Sequence, residues 1–227
     1  MSIATLPAAA PVPAMPLTSR KTLAELLHEL GDIPAHRVRL YPYPGTATEA
    51  DAIRINETEH LCELINGTIV ELAVGLPQGY FGSLVAFHLN AFILPRRLGI
   101  VVQPDAMFRM LPGNLREPDV SFTRKSQLPN PVPQIGGWCP VLCVEILSPD
   151  NTRAEMNQKR SEYFRSGCLL VWEFDVRARI VDVYTDASTP TRLTESDSLD
   201  GGTVLPGFTL SLTELLAAFD EGMQSLS

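Results

Sequence analysis

The spacing of apolar side chains divides the chain into a helical opening, a strand-rich middle and a helical close. Leu23, Leu26, Leu27 and Leu30 recur at helical intervals and stop at Gly31, which predicts a short amphipathic helix whose role is packing. From Ile33 to Thr58 prolines and glycine break any period, so this stretch is expected to be a connector with at most a short helix. The pattern changes at Cys62. Glu63-Leu-Ile and Thr68-Ile-Val-Glu-Leu flank Asn66-Gly67, a pair that accepts positive φ at both turn positions, and this predicts a β-hairpin. Gly82 to Pro95 then carries Leu84, Val85, His88, Leu89, Phe92 and Ile93 as an i, i+4 stripe, which predicts a core-packed helix ended by the proline. His88 on that stripe is expected to be a satisfied core histidine rather than a ligand. Ile100-Val-Val-Gln, Ala106-Met-Phe-Arg-Met and Asp119-Val-Ser-Phe read as strands, and Val141 to Leu147 as a buried one. Val171 to Asp175 with Ile180 to Tyr184 reads as a terminal hairpin, and Leu212, Leu215, Leu216 and Phe219 as a last short helix. No internal repeat occurs at solenoid periods. The order predicts an α/β fold, a mixed sheet flanked by helices.

Two carboxylates interrupt the apolar runs. Alternation places Val141, Cys143, Glu145 and Leu147 on one face of their strand and Leu142, Val144 and Ile146 on the other. Taken alone, Glu145 could equally cap a neighbouring helix or pair with a core arginine. The next segment adds a partner. Thr152-Arg-Ala-Glu155 is a capping box that starts a helix, and Gly167 is a natural left-handed stop. If that helix runs back along its strand, Lys159 lies roughly 9 Å into it at ~1.5 Å per residue. Glu145 lies roughly 10 Å before the strand's end at ~3.3 Å per residue. The heights match, so the Lys159 ammonium can reach Glu145; an exposed helix face is its ordinary alternative. Asp119 follows Pro118, which suits the first position of a strand. Were its strand a neighbour, two carboxylates about 4 to 6 Å apart would repel by on the order of 3–4 kcal/mol at an effective dielectric near 20. A divalent cation removes that penalty, and oxygen-only ligands suit Mg²⁺ or Mn²⁺ rather than zinc.

Composition narrows the setting. A chain of 227 residues, 45% of them hydrophobic, can bury one substantial core without a second domain. The net charge of −8 argues against a generally basic protein that coats nucleic acid, while leaving room for a local basic rim. Cys62, Cys139, Cys143 and Cys168 lack paired C-x₂-C spacing and are expected to be buried, reduced thiols. Residues 1–20 form an Ala/Pro-rich leader without a basic start, expected to be disordered and not a signal peptide. No apolar run approaches the roughly 18 residues that span a bilayer. The expected setting is the cytoplasm, with no membrane partner.

Glu63-Leu-Ile-Asn-Gly-Thr-Ile-Val, Glu117-Pro-Asp-Val, Pro140-Val-Leu-Cys-Val-Glu-Ile-Leu-Ser-Pro, Lys159 with Tyr163, and Gly167 to Trp172 with Asp175 together resemble the Uma2 family of endonucleases. That family has the PD-(D/E)XK restriction-endonuclease-like fold. The resemblance runs from about Glu57 to Phe219 and implies a nuclease domain over residues 57–220, after the leader and a 21–56 segment of helix and connector. On the resemblance, Asp119 takes the motif aspartate and Glu145 the glutamate of the E-x-K strand. Leu147 stands where the strand lysine is expected, and Lys159 matches the family's lysine on the following helix. Glu63 matches an acidic residue counted with the site, its other reading being a surface charge at the hairpin end. Many relatives carry a histidine at the start of the helix after the first hairpin, where this chain reads Gln78-Gly79-Tyr80-Phe81; Tyr80 or Gln78 is the candidate substitute.

The implied catalytic set is therefore Asp119, Glu145, Lys159 and Glu63, with Asp119, Glu145 and the Ile146 carbonyl holding Mg²⁺ or Mn²⁺. Arg153, Arg160, Arg165 and Arg124, with Arg116 and Lys125 nearby, are candidate phosphate contacts to nucleic acid, DNA being expected; solvated surface faces are the alternative for each. Two other functions fit the same residues: a catalytically inactive nuclease-fold binding or regulatory module, and a metal-dependent hydrolase of nucleotides. A homodimer is possible, with the hairpin around Trp172 and Tyr184 as its surface, unless those aromatics belong to the core.

Overall fold

Three threonines open three helices by one device. Thr22, Thr48 and Thr152 each accept from the backbone N–H three residues on, and the acid at that position, Glu25, Asp51 or Glu155, accepts in return from the threonine N–H. The computed structural model describes residues 21–73 and 75–224, so the expected leader over 1–20 lies outside the described residues. The helices are α1 (Leu23–Glu29), α2 (Glu49–Thr58), α3 (Leu76–Arg96), α4 (Arg153–Arg165) and α5 (Leu212–Gln224). The first strands are β1 (Cys62–Ile65), β2 (Thr68–Glu71), β3 (Gly99–Val102), β4 (Phe108–Arg109), β5 (Asn114–Arg116) and β6 (Val120–Arg124). They are followed by β7 (Leu142–Ile146), β8 (Leu170–Asp175), β9 (Ile180–Tyr184), β10 (Pro190–Thr194), β11 (Ser198–Asp200) and β12 (Thr209–Ser211).

The main sheet has the order β10-β9-β8-β7-β6-β3, with β7 and β8 parallel and the other pairs antiparallel. Its two faces are covered differently. Leu142, Val144 and Ile146 of β7 and Trp172 and Phe174 of β8 meet Phe81, Val85, Leu89 and Ile93 of α3 and Leu215 of α5. Cys143 and Val171 face the other way, against Tyr163 of α4. The alternation expected for residues 142–146 is therefore realised, and a mixed sheet lies between helices. Trp172 and Tyr184 are both buried, which makes them core rather than an exposed hairpin surface.

Several elements depart from the sequence expectation. The connector over 33–58 contains the ten-residue α2, whose only buried residues are Ala52 and Ile55. Two apolar contacts in ten residues leave no visible period, although the capping box at Thr48 was there to be read. The Asn66-Gly67 hairpin forms with φ of 47° and 74°, but it belongs to a separate four-stranded sheet of order β2-β1-β5-β4. A Cβ on Gly67 would stand 2.8 Å from the Gly45 carbonyl oxygen, so both φ and space require glycine. The hairpin of β8 and β9 is not terminal: β10 extends it and a small β11-β12 sheet follows. His88 is only half-buried, its imidazole pulled below its ordinary range by burial. All four cysteines are buried free thiols. Among the described residues no helix is long and apolar enough to cross a membrane.

The N-terminal segment is tied to α4. Arg37, buried, places Nη1 3.0 Å and Nη2 2.8 Å from the two carboxylate oxygens of Glu155. The Thr152 hydroxyl donates to the Gly31 carbonyl, and Gly31 has φ +84° with no room for a Cβ, which would meet the Glu155 nitrogen at 2.5 Å.

Candidate active site

Four chain segments bring acids and cations together beneath α4. Glu63 comes from β1, Glu117 and Asp119 from the link between β5 and β6, Glu145 from β7, and Lys159 with Tyr163 from α4. The register Val120↔Val144 of the antiparallel β6-β7 pair, continued by one position, sets Asp119 opposite Glu145 on the same side of the sheet. The Asp119 carboxylate turns along its neighbour and accepts the Ile146 N–H at 2.7 Å. Spacing of i, i+4 and i+8 puts Glu155, Lys159 and Tyr163 on one stripe of α4. All three are buried.

Lys159 closes the constellation. Its Nζ lies 2.9 Å from Glu145 Oε2 and 3.2 Å from Glu63 Oε1. Tyr163 donates its hydroxyl to the other Glu145 oxygen. Glu63 is also held by Arg116, whose Nη1 lies 2.8 Å from Oε2, and Arg116 is clasped in turn by both oxygens of Glu162 at 2.8 and 2.7 Å. Charges therefore alternate along Glu162, Arg116, Glu63, Lys159 and Glu145. This answers the alternative reading of Glu63: it is 1% exposed and not a surface charge.

Burial and charge act in opposition on these groups. Burial alone would raise Glu63, but Lys159 and Arg116 outweigh it and hold its carboxyl down at about 2. Burial lowers the Lys159 ammonium while Glu145 and Glu63 raise it, and the net direction is up. It stays charged. Burial raises Glu145 to about 8 against the pull of Lys159, with the Asp119 and Glu63 charges adding to the rise. Asp119 keeps part of its surface exposed, yet burial of its carboxyl raises it too, opposed by Lys159 and the Ile146 N–H. Glu117 is raised to about 8, first by burial and then by Glu63. Its Oε1 accepts from Asn56 Nδ2 at 2.7 Å; its Oε2 is buried with no hydrogen-bond partner.

Glu117 and Tyr163 extend the set that sequence reasoning gave. The signals were available: Glu117 is two residues before Asp119, and Tyr163 is one helical turn after Lys159. Other expected residues are engaged elsewhere. Arg160 is buried with Nη1 2.6 Å from Glu173 Oε1 and its guanidinium over the Tyr184 ring, so it balances the acid paired to Glu145 on the parallel neighbour and is not free for a phosphate. Arg116 is likewise consumed inside the site. Arg124 lies at the far end of β6, half-buried, with Nη2 3.4 Å from the Thr203 carbonyl. Arg153 and Arg165 are exposed at opposite ends of α4. Tyr80 stacks on Phe219 and Gln78 is half-buried, and neither has a hydrogen bond to any of the four acids.

The donors are of the type a hard divalent cation takes. They are all oxygens, without histidine or thiol, although no three of the four carboxylates bring oxygens within 4.8 Å of one another. Glu63, Glu117, Asp119 and Glu145 face two cations, Lys159 and Arg116, of which Arg116 is shared with Glu162. A cleft of about 380 Å³ opens on another side of α4, lined by Arg153, Asn157, Arg160, Glu173 and Arg192, and none of the four acids or Lys159 lines it.

A family model described as "Uma2: Putative restriction endonuclease" matches residues 48–213. Among solved structures, the chain is similar to a "putative nuclease belonging to DUF820" from Anabaena variabilis, at 18% identity and a TM-score of 0.64, covering 88% of this chain and 99% of that one. No curated protein matches.

Proposed function

Because the chain belongs to the Uma2 family of restriction-endonuclease-like proteins, we propose that it is a metal-dependent endonuclease that hydrolyses phosphodiester bonds of nucleic acid, with DNA as substrate. The observation that supports this reading most directly is Lys159 Nζ standing 2.9 Å from Glu145 while Asp119 faces Glu145 from the adjacent strand. In this proposal Asp119, Glu145 and the Ile146 carbonyl hold Mg²⁺ or Mn²⁺. A bound cation of this kind supplies positive charge at the phosphoryl oxygen and lowers the proton affinity of water. Lys159, protonated throughout the working range, offers a second positive charge to the oxygens that become more negative as the phosphoryl group is attacked. Glu63 keeps its own charge and holds Lys159 in place through the shared contact with Arg116. Tyr163 fixes the Glu145 carboxylate, so one rotamer is presented. Arg153 and Arg165 remain available for backbone phosphates.

The test is cleavage of supercoiled plasmid in Mg²⁺ or Mn²⁺ by wild type, Asp119→Ala and Lys159→Ala. Cleavage by wild type alone supports the assignment; equal cleavage by all three, or none by wild type with either ion, defeats it. One observation favours a second reading, an inactive nuclease-fold module: Glu63, Glu145 and Lys159 are each no more than 5% exposed and already satisfy one another. Mn²⁺ titration separates the two. A nuclease site binds the ion in a way that Glu145→Gln weakens, and an inert scaffold does not. Nucleotides assayed beside DNA and RNA decide whether the substrate is a polymer.

A further inference from the structure

Three of the four cysteines meet at one point. Cys139 lies in the segment before β7, Cys143 within β7 and Cys168 in the turn from α4 to β8, and their Sγ atoms all lie within 4.8 Å of one another. They are 5, 0 and 3% exposed. Two stretches of chain, the run into β7 and the α4–β8 turn, have to converge to produce this cluster, and the remaining thiol, Cys62, sits apart in the four-stranded sheet's core. The surroundings are apolar and soft: Met110, Tyr163, Val171 and Phe108 enclose the thiols. Among the described residues no histidine or carboxylate joins the group.

We infer that Cys139, Cys143 and Cys168 form a three-sulfur binding site for a soft monovalent ion, Cu⁺. Three thiolates fall one short of the four ligands of a structural zinc site, whereas a three-sulfur set of soft donors suits Cu⁺. The size agrees. A trigonal ion with metal–sulfur bonds of roughly 2.3 Å places its sulfurs about 4 Å apart, so the thiols need to close by less than about 1 Å. Uptake exchanges the thiol protons, which leave to solvent, for one cation. At present the thiols contact one another and backbone carbonyls weakly: Cys139 to Tyr163 at 3.7 Å, and Cys168 to Leu170 at 3.1 Å and Val141 at 3.6 Å.

The location gives the ion a mechanical role. Cys143 shares its face of β7 with Glu145, two residues on, and the Tyr163 that receives Cys139 on its carbonyl holds Glu145 through its hydroxyl. A filled site ties β7, the end of α4 and the start of β8 together. The inference stands apart from the nuclease reading, because none of the three sulfurs belongs to the oxygen donor set.

The experiment titrates the full-length protein with Cu⁺ under anaerobic conditions against a chromogenic Cu⁺ chelator, and records X-ray absorption of the loaded protein. One equivalent retained, with three sulfur neighbours in a single shell, is the expected result. Cys143→Ser and Cys168→Ser should each weaken retention by more than the roughly 10–100-fold that a lost outer-shell partner costs. Cys62→Ser should leave it unchanged. The spectrum of the wild type decides the matter even where a variant fails to fold. No retention against the chelator, fewer than three sulfur neighbours, or an equal loss in Cys62→Ser overturns the site and leaves three packed thiols.

Discussion

Replacing Glu117 with Gln should make the protein more stable at high pH and somewhat less stable at low pH. Glu117 is 1% exposed, with one carboxylate oxygen on Asn56 and the other on nothing. Its proton leaves at about 8 in the folded chain against an ordinary 4.5. The folded state therefore binds the proton more tightly than the unfolded state, so this group's contribution is fully present below about 4.5 and is lost as pH rises through about 8. By about pH 9.5 the loss is on the order of 5 kcal/mol, and at pH 5 it is under about 1 kcal/mol. Gln carries no charge at either pH. Its amide nitrogen adds a buried donor that costs about 1–3 kcal/mol, equally at both pH values. The stability gap between variant and wild type should thus shift toward the variant by on the order of 4 kcal/mol between the two conditions. Urea unfolding in EDTA, with m-values compared to confirm equal exposure, measures it. The window stops at pH 5 because Glu63, held down at about 2, pulls the other way in acid. A gap that is the same at both pH values would refute the account of Glu117 as a buried acid deprived of a partner.

Further outcomes follow from the same geometry. Lys159→Met strips the cation shared by Glu145 and Glu63 and should cost about 3–5 kcal/mol at pH 9, less at pH 6 where Glu145 takes up a proton; denaturant unfolding at the two pH values tests this. Gly67→Ala forces a Cβ to 2.8 Å from the Gly45 carbonyl at φ +74° and should cost about 1–3 kcal/mol, read as a lowered thermal midpoint. Arg160→Met leaves Glu173 buried without its cation and should destabilise the fold by about 3–5 kcal/mol. If instead it reduces only DNA affinity, Arg160 is a phosphate contact after all.

The main sheet and the heart of the candidate site were legible for one reason: strand alternation and helical rise are fixed lengths. They set Glu145 opposite the apolar face and put Lys159 at its height before any coordinates were needed. What stayed hidden depended on partners distant in the chain. Arg116 and Arg160 look like surface cations in sequence because nothing local marks Glu63, Glu162 or Glu173 as their buried counterparts. Helix α2 reads in sequence only as a possible short helix within a connector, because it buries two side chains and packing leaves no period to detect. Glu117 stands in the Glu117-Pro-Asp motif, and nothing in that motif signals that its carboxylate is buried with one oxygen left without a partner.

The grip of Arg37 on Glu155 has a practical bearing on any shortened version of this protein. The stretch that matches the family begins at residue 48, yet the helix that carries Lys159 is anchored at its first turn by Gly31 and Arg37, which lie upstream of it. Excising those residues to isolate a minimal enzyme would leave a buried glutamate facing empty space and let the helix start drift. The borders of sequence kinship and of mechanical self-sufficiency do not coincide here, and the longer unit is the one to express.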